Sequence, residues 1–422
     1  MMHCSQSLKM EMNHSPETAS AAMQSIKENP NLLALFNEIR RNGPTLKSKA
    51  GLGLHVSKPT RYALMQELVG RNLLTEGAST DGGRHRHSSV LQVVKGRLYT
   101  LGVDVHMEGI EAVLLDMDAS VKAGAFLPNE VDDRAGVAGE SRAVIIERIR
   151  EAASRVLREA GIRDHEVIGA GISSAGTVHG DDGIVMASRY MPDLCEVPVG
   201  SILSRTVSAP ARLARDANMI ALAEIRALDL RRLPNALCVS LRRGIGLGAF
   251  LHGRMYTGKT GNAGEWSHMR LFPALQGGEL RRQDLDTLLG IGPILELSRS
   301  LPPAGPEAGP RPGDGRAKAV FDAFEEGRPE VVPGMKLYIE QLGVHLANLV
   351  YLFDVDHIII AGRFAFCGDR FLAGLAGQVR GHVPGYQEVR ILKGRLGMGA
   401  AALGAACMAQ ETACNAGGEV LP

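Results

Sequence analysis

The sequence predicts an α/β chain with a small helical head, and three observations carry that prediction. Short helical patterns alternate with turn signals from Asn31 to Val94, the texture changes to strand-like runs after Gly96, and strand, helix and glycine-rich turn then repeat down the chain. At 422 residues, and roughly 100–200 residues per domain, two or three domains are expected. A hydrophobic share of 45% with 22% charged residues is that of a soluble globular protein. No stretch approaches a membrane span, and Met1 to Ala22 is polar with no apolar core, so a cytoplasmic location with no membrane partner is expected. The formal net charge of +1 means that any nucleic-acid binding must come from a local patch. The six cysteines contain no CxxC pair, which favours reduced thiols over disulfides or a metal cluster.

Residues 1–30 are polar and aperiodic and read as a flexible arm. A head follows over 31–95. Leu32 to Arg41 (LLALFNEIRR) has helical spacing and is stopped by Gly43-Pro44. Thr45 to Leu54 is expected to form a short second helix, although Gly51 and Gly53 weaken it by roughly 0.5–1 kcal/mol each, and His55 stands in the inter-helix turn where glycine is usual. Ser57 then caps a third helix that tolerates Pro59 in its first turn, with Leu64, Leu68 and the later Leu73-Leu74 facing inward. Lys58, Thr60 and Arg61 point outward from its first turn, where a recognition helix meets bases and phosphates. Thr75 to Gln92 reads as two strands around a basic, glycine-hinged tip, Gly82-Gly83-Arg84-His85-Arg86. The pattern is that of a winged helix-turn-helix contacting DNA through Ser57, Lys58, Thr60, Arg61, Arg84, His85 and Arg86. A small helical module that binds another protein would share the helical pattern, though not the wing.

In the body, Leu98–Val105 and Gly109–Met117 read as strands of a hairpin turning at Met107 and Glu108. Ser141 to Gly161 reads as a helix with Ile145, Ile149, Ala152 and Val156 on its buried face. Pro302 to Gly315, dominated by Pro, Gly and Ala, reads as a flexible loop.

Four segments complete the picture: SKPT at Ser57 to Thr60, GGR at Gly82 to Arg84, RLARDANMIALAEI at Arg212 to Ile225, and GNAGEWSH at Gly261 to His268. Together they resemble the ROK family, whose sugar kinases and sugar-responsive repressors share an actin-like ATPase fold. The resemblance runs from Leu32 to Met408 and implies a two-lobed body. Lobe 1 would span 97–220, with a C-terminal helix at about 397–410 returning to it, and lobe 2 would span 221–396 with the 302–315 loop.

It also implies roles. Asp216 matches the carboxylate that takes the proton of the attacking sugar hydroxyl in the kinases, although on its own an aspartate there reads as a helix cap. Arg215 replaces the family's asparagine. Glu265 and His268 match positions that bind sugar hydroxyls, the histidine also ligating zinc in many members, and Asp286 is set against the family glutamate that completes the sugar site. A lone histidine in such a loop otherwise reads as structural. The cysteine knuckle that normally follows is missing from Leu271 to Gly290, so no structural zinc is expected.

The phosphate-binding turns are altered as well. Asp104 is followed by Val105-His106-Met107-Glu108 instead of glycines and threonine. In the second turn Arg242 and Arg243 replace the family's leading glycine and threonine, leaving Gly244, Gly246 and Gly248 as a remnant that tight backbone packing also explains, and Arg363 ends the segment where a Gly-Gly lies under adenosine. ATP binding and any other cofactor are therefore not expected. The implied function is a transcriptional repressor of carbohydrate-related genes, binding double-stranded operator DNA as a homodimer or homotetramer and sensing a sugar or sugar derivative. Two alternatives remain: an active ATP-dependent sugar kinase with a DNA-binding head, and a constitutive DNA-binding protein whose body serves only to oligomerise.

Overall fold

The computed structural model describes residues 19–78, 89–129, 131–132, 137–138, 141–230, 233, 235–269, 274–276, 279–281, 284–302, 311, 313–385 and 388–415. The chain divides into two compact units, Met1–Leu98 and Tyr99–Pro422, here the head and the body.

In the head, α1 (Ala19–Lys27) and α2 (Pro30–Asn42) are followed by β1 (Thr45–Leu46), α3 (Lys58–Gly70), β2 (Leu74–Ala78) and β3 (Ser89–Val93). Asn29 starts α2 by accepting from the amides of Asn31 and Leu32, and Pro30 supplies a first-turn residue with no amide to satisfy. Leu32, Leu35, Phe36 and Ile39 are buried along α2, which packs on α1, α3 and β3. The strands pair antiparallel in the order β1-β3-β2, so β2 and β3 form the expected hairpin.

Two expectations need correction. Residues 1–30 are not a uniform arm, because Ala22, Met23 and Ile26 are buried and anchor α1. Thr45 to Leu54 is not a helix. It contributes the two-residue β1 and then a run of turns, with Gly51 at φ +68, where a β-carbon would lie 3.0–3.1 Å from Arg61 and Leu35. Gly51 thus sits in left-handed backbone that a regular helix does not use. Leu73 and Leu74 are buried as expected, but beyond the end of α3.

The body repeats one plan twice. The first lobe runs β4 (Tyr99–His106), β5 (Gly109–Asp116), β6 (Val121–Pro128), a short β7/β8 pair (Val131–Asp132, Val137–Ala138), α4 (Arg142–Ala160), β9 (Val167–Ser174), a β10/β11 hairpin (Thr177–His179, Ile184–Ala187), α5 (Val199–Val207) and β12 (Ala211–Arg215). After α6 (Asp216–Ala227), the second lobe runs β13 (Asn235–Leu241), β14 (Ile245–Leu251), β15 (Arg254–Tyr256), a β16/β17 pair (Ala274–Gln276, Glu279–Arg281), α7 (Leu285–Leu289), α8 (Ile291–Leu297), α9 (Asp314–Glu325), α10 (Val332–Phe353), β18 (His357–Gly362), α11 (Asp369–His382) and β19 (Arg390–Lys393). The chain then closes with α12 (Ala400–Ala413). The large sheets have the orders β12-β9-β4-β5-β6 and β15-β14-β13-β18-β19. Each is an antiparallel meander of three strands extended by two parallel strands, so β4 corresponds to β13, β9 to β18 and β12 to β19.

Each sheet has its own apolar core. Leu101, Val103 and Leu114 meet Ile145, Ile149, Ala152 and Val156 of α4, the face expected from the sequence. In the second lobe, Leu237, Val239 and Ile358 meet Phe321, Leu342 and Phe371. A third cluster joins Met219, Ile220 and Ala223 of α6 to Ala401, Ala405 and Met408 of α12, with Leu115, Cys238 and Ile359 from the two sheets. Close approach here needs glycine: a β-carbon on Gly102 or Gly171 would stand 2.0 Å from the carbonyl oxygen of Ala402 or Ala405.

The C-terminal helix α12 packs on β4 and β9 of the first sheet and on α6, and the 220/221 boundary falls inside the continuous α6. The 302–315 loop is also overdrawn. Residues 303–310 and 312 lie outside the described part, but Arg311 and Asp314 are buried and α9 starts at Asp314. Among the described residues, no helix is long and apolar enough to cross a membrane.

Candidate functional site

In the head, Ser57 caps α3: its hydroxyl accepts from the Thr60 amide at 3.3 Å and lies 2.8 Å from the Thr60 hydroxyl. Lys58 and Thr60 are exposed on the first turn. Arg61 is less available than expected, being half-buried with its Nε enclosed. Arg84, His85 and Arg86 of the wing tip lie outside the described residues.

In the body, a cavity of about 90 Å³ opens where β4, β9, β12 and β13 end, the usual place for a ligand in sheets of parallel strands. Its volume is several times what one water needs. The β4–β5 turn lends it His106, Met107 and Glu108, and the β12–α6 junction lends Arg215 and Asp216. The β13–β14 turn brings Arg242, Arg243 and Gly244, and the short helix at Trp266–His268, with its cap Glu265, brings Glu265 and His268. Asp286 of α7 completes the set, so all five ligand residues expected from the sequence meet in one cavity.

Their chemistry is constrained by arginines. Arg242 reaches Asp104 at 2.6 Å with one nitrogen and Asp216 at 3.3 Å with the other. Asp104 is fully buried and also accepts from the Ser173 hydroxyl. Burial raises the Asp216 carboxyl above the usual aspartate range, opposed in part by Arg242. Asp216 is the first residue of α6 and accepts from the Ala217 amide at 2.8 Å, while the cap position belongs to Arg215.

Arg215 approaches Glu265 at 2.7 Å, as an ion pair rather than an aligned hydrogen bond, and its guanidinium donates to the Ala263 and Gly264 carbonyls. The other oxygen of Glu265 lies 3.4 Å from His268. Arg363, fully buried, binds Glu108 at 2.7 Å and Asp314 at 2.9 Å. Arg311 binds Glu111 and lies 4.9 Å above the Phe126 ring.

The glycine remnant is likewise occupied. The amide of Ile245 donates to Asp286 at 2.8 Å, Asp286 accepts from the Tyr190 hydroxyl at 2.8 Å, and a β-carbon on Gly244 would meet the same carboxylate at 2.4 Å. Gly246 lines the cavity yet packs on Ala217, and Gly248 packs on Ala217 and Ala221 of α6, so the packing explanation of these glycines is the better one. Among the described residues, no group of three or more His, Cys, Asp or Glu side chains is arranged to hold a metal ion.

In the sequence Arg242 and Arg363 stand out only as glycines lost; their pairing with acids far along the chain is not visible there. Arg311 was hidden by the Pro- and Gly-rich stretch around it, and Tyr190 carries no sequence signal.

A family model described as "ROK family" matches residues 100–412. A xylose repressor of Caldicellulosiruptor bescii is 21% identical over 354 residues, covering 82% of this chain and 86% of that protein. A glucokinase of Streptomyces coelicolor is 24% identical over 324 residues, covering 74% of this chain and 98% of its own. Among solved structures, a ROK family transcriptional regulator described as a homolog of the E. coli MLC protein has a TM-score of 0.71 at 19% identity, covering 92% of this chain and 96% of that one. A ROK family glucokinase from Streptomyces griseus in complex with glucose and AMPPNP has a TM-score of 0.60 at 23% identity, covering 74% of this chain and 99% of that one.

Proposed function

The chain belongs to the ROK family, and on that premise we propose that it is a DNA-binding transcriptional repressor of carbohydrate-related genes whose kinase-like body senses a ligand instead of phosphorylating it. The observation that carries this reading is Arg242. A base that takes a hydroxyl proton must face that hydroxyl, and phosphoryl transfer depends on positioning and on charge stabilisation. Here the carboxylate that would serve, Asp216, shares an arginine with the buried Asp104. The residues present do not fit a nucleotide: Glu108 stands in the first phosphate turn, Asp286 holds an amide of the second, and Arg363, at the position of the family's Gly-Gly under adenosine, is turned to Glu108 and Asp314. No chemical step is therefore assigned to ATP.

The xylose repressor, which this chain matches over most of both lengths, supports the regulator reading. The exposed Lys58 and Thr60 at the start of a capped helix, with a hairpin behind it, support a head that reads double-stranded DNA. Two heads on two half-sites require a homodimer or a dimer of dimers. A sugar or sugar derivative bound at Asp216, Glu265, His268 and Asp286 would shift the DNA affinity only by binding one conformation better than another.

The test is a gel-shift titration of the full chain on its own upstream DNA, with and without sugars. Tight, specific binding that a sugar weakens is expected, with Lys58→Ala binding at least tenfold more weakly. Equal binding by the Lys58→Ala/Arg61→Ala double variant would remove α3 as the reading helix. The raised Asp216 carboxyl favours one second reading, a residual ATP-dependent sugar kinase. It requires sugar-stimulated ATP hydrolysis that disappears in Asp216→Asn, and a melting temperature that rises with ATP.

A further inference from the structure

We propose that Glu108 and His106 form a second ligand-reading subsite, and that the effector is an uncharged, hydroxyl-rich molecule rather than a phosphorylated or acidic one. The inference rests on the effector reading above and deepens it.

Glu108 is 6% exposed and His106 4%, and both line the same cavity as Asp216, Glu265 and His268. The Oε2 atom of Glu108 and the Nε2 atom of His106 are buried with no hydrogen-bond partner among the described residues, the nearest acid to His106 being Asp104 at 3.9 Å. Buried polar atoms cost free energy unless something satisfies them, so two such atoms, on cavity-lining residues two positions apart in the chain, mark a place for a polar ligand. The turn is held in place by its neighbours: the Asn129 side chain donates to the carbonyls of His106 at 3.1 Å and Met107 at 3.2 Å, and the His106 ring stacks on Phe126.

The chemistry of the two atoms selects the ligand. A carboxylate oxygen only accepts, so Glu108 requires a donor, which a hydroxyl supplies and a phosphate or carboxylate group does not. His106 is pushed well below the usual imidazole range by burial and by Arg242, Arg311 and Arg363, so it stays neutral and offers no charge to an anion. The cavity's arginines are mostly matched already: Arg215 by Glu265, Arg242 by Asp104 and Asp216, Arg189 by Asp284. Arg243, half-buried, is the lining arginine with no ion pair among the described residues, and an anionic effector would have to use it.

Glu108 also suits a relay. One of its oxygens holds Arg363 at the end of β18 in the second lobe, while the residue itself lines the cavity from the first. A ligand that donates to the free oxygen therefore acts on a residue that already ties the lobes together.

Isothermal titration of the full chain with D-xylose, D-glucose and cellobiose, against D-glucose 6-phosphate and D-gluconate, tests the proposal. At least one neutral sugar should bind, at least tenfold tighter than either anion. Glu108→Gln should weaken it about tenfold, and His106→Ala several-fold; if Glu108→Gln does not fold, His106→Ala decides. Tighter binding of the phosphorylated or acidic sugar, or neutral-sugar binding unchanged in the variants that fold, overturns the proposal and leaves the effector reading standing. No binding by any of the five removes the effector reading, and this proposal with it.

Discussion

Arg242 shows what one residue can decide. It occupies a position where the family places a glycine beside a phosphate, and from the second sheet its two nitrogens serve two carboxylates at strand ends of the first. Replacing it with methionine keeps the bulk but leaves Asp104 buried without its cation. Such a break costs about 3–5 kcal/mol, so urea unfolding of Arg242→Met should show a lower midpoint, corresponding to a stability loss of that size, with an unchanged slope. His106 makes a second residue-scale prediction. Its proton affinity is depressed in the folded state, so the unfolded chain takes up a proton first as pH falls below the ordinary imidazole value of 6.5. The stability associated with neutral His106 is fully present above that pH and is lost progressively below it. Melting temperatures at pH 7.5 and 5.5 should therefore fall further for the wild type than for His106→Ala. These effects were only half legible in the sequence: Arg242 and His106 stood out as wrong for a phosphate turn, but which carboxylates they meet depends on segments up to 138 residues away in the chain.

Among the elements, those with strong local signals came out as expected. The α4 stripe, its αL stop at Gly161, the β4–β5 hairpin and the Ser57 cap are all written in short-range spacing. The failures share a cause. The second helix of the head did not form because Gly51 is used for left-handed backbone beneath Arg61, and α1 was missed because its short apolar face acquires meaning only against α2. The loop before α9 looked featureless in composition while its last residues anchor two ion pairs. The glycines under α12 are a signal that composition hides and geometry explains. Gly171→Ala would press a methyl into the Ala405 carbonyl, and the forced shift of α12 should cost about 1–3 kcal/mol, seen as a lower melting temperature with no change in oligomeric state.

For the body as a whole, the two lobes are joined by charge as well as by the α6–α12 core. Arg311 and Arg363 lie in the second lobe and reach Glu111 and Glu108 of the first. A double-mutant cycle on Arg311→Ala and Glu111→Ala should give a coupling of about 1–3 kcal/mol, and a coupling near zero would mean that the contact does not join the lobes energetically. The family fold and the site's position were readable from GNAGEWSH and RLARDAN, because those motifs are local. The lobe connections were not, since they arise only once both sheets exist.

The reciprocal pattern in the cleft bears on how such a protein can change over generations. The turn of one sheet holds the strand end of the other, Arg242 on Asp104 and Glu108 on Arg363. Restoring a glycine at either turn removes a charge partner from the opposite lobe, leaving Asp104 without its cation or Arg363 with Asp314 but not Glu108, so each such step back toward a phosphate-gripping cleft is expected to lower stability. A lineage that has reached this arrangement can refine its ligand by small changes around the cavity, but recovering catalysis would take several coordinated substitutions. The matched charges act as a ratchet.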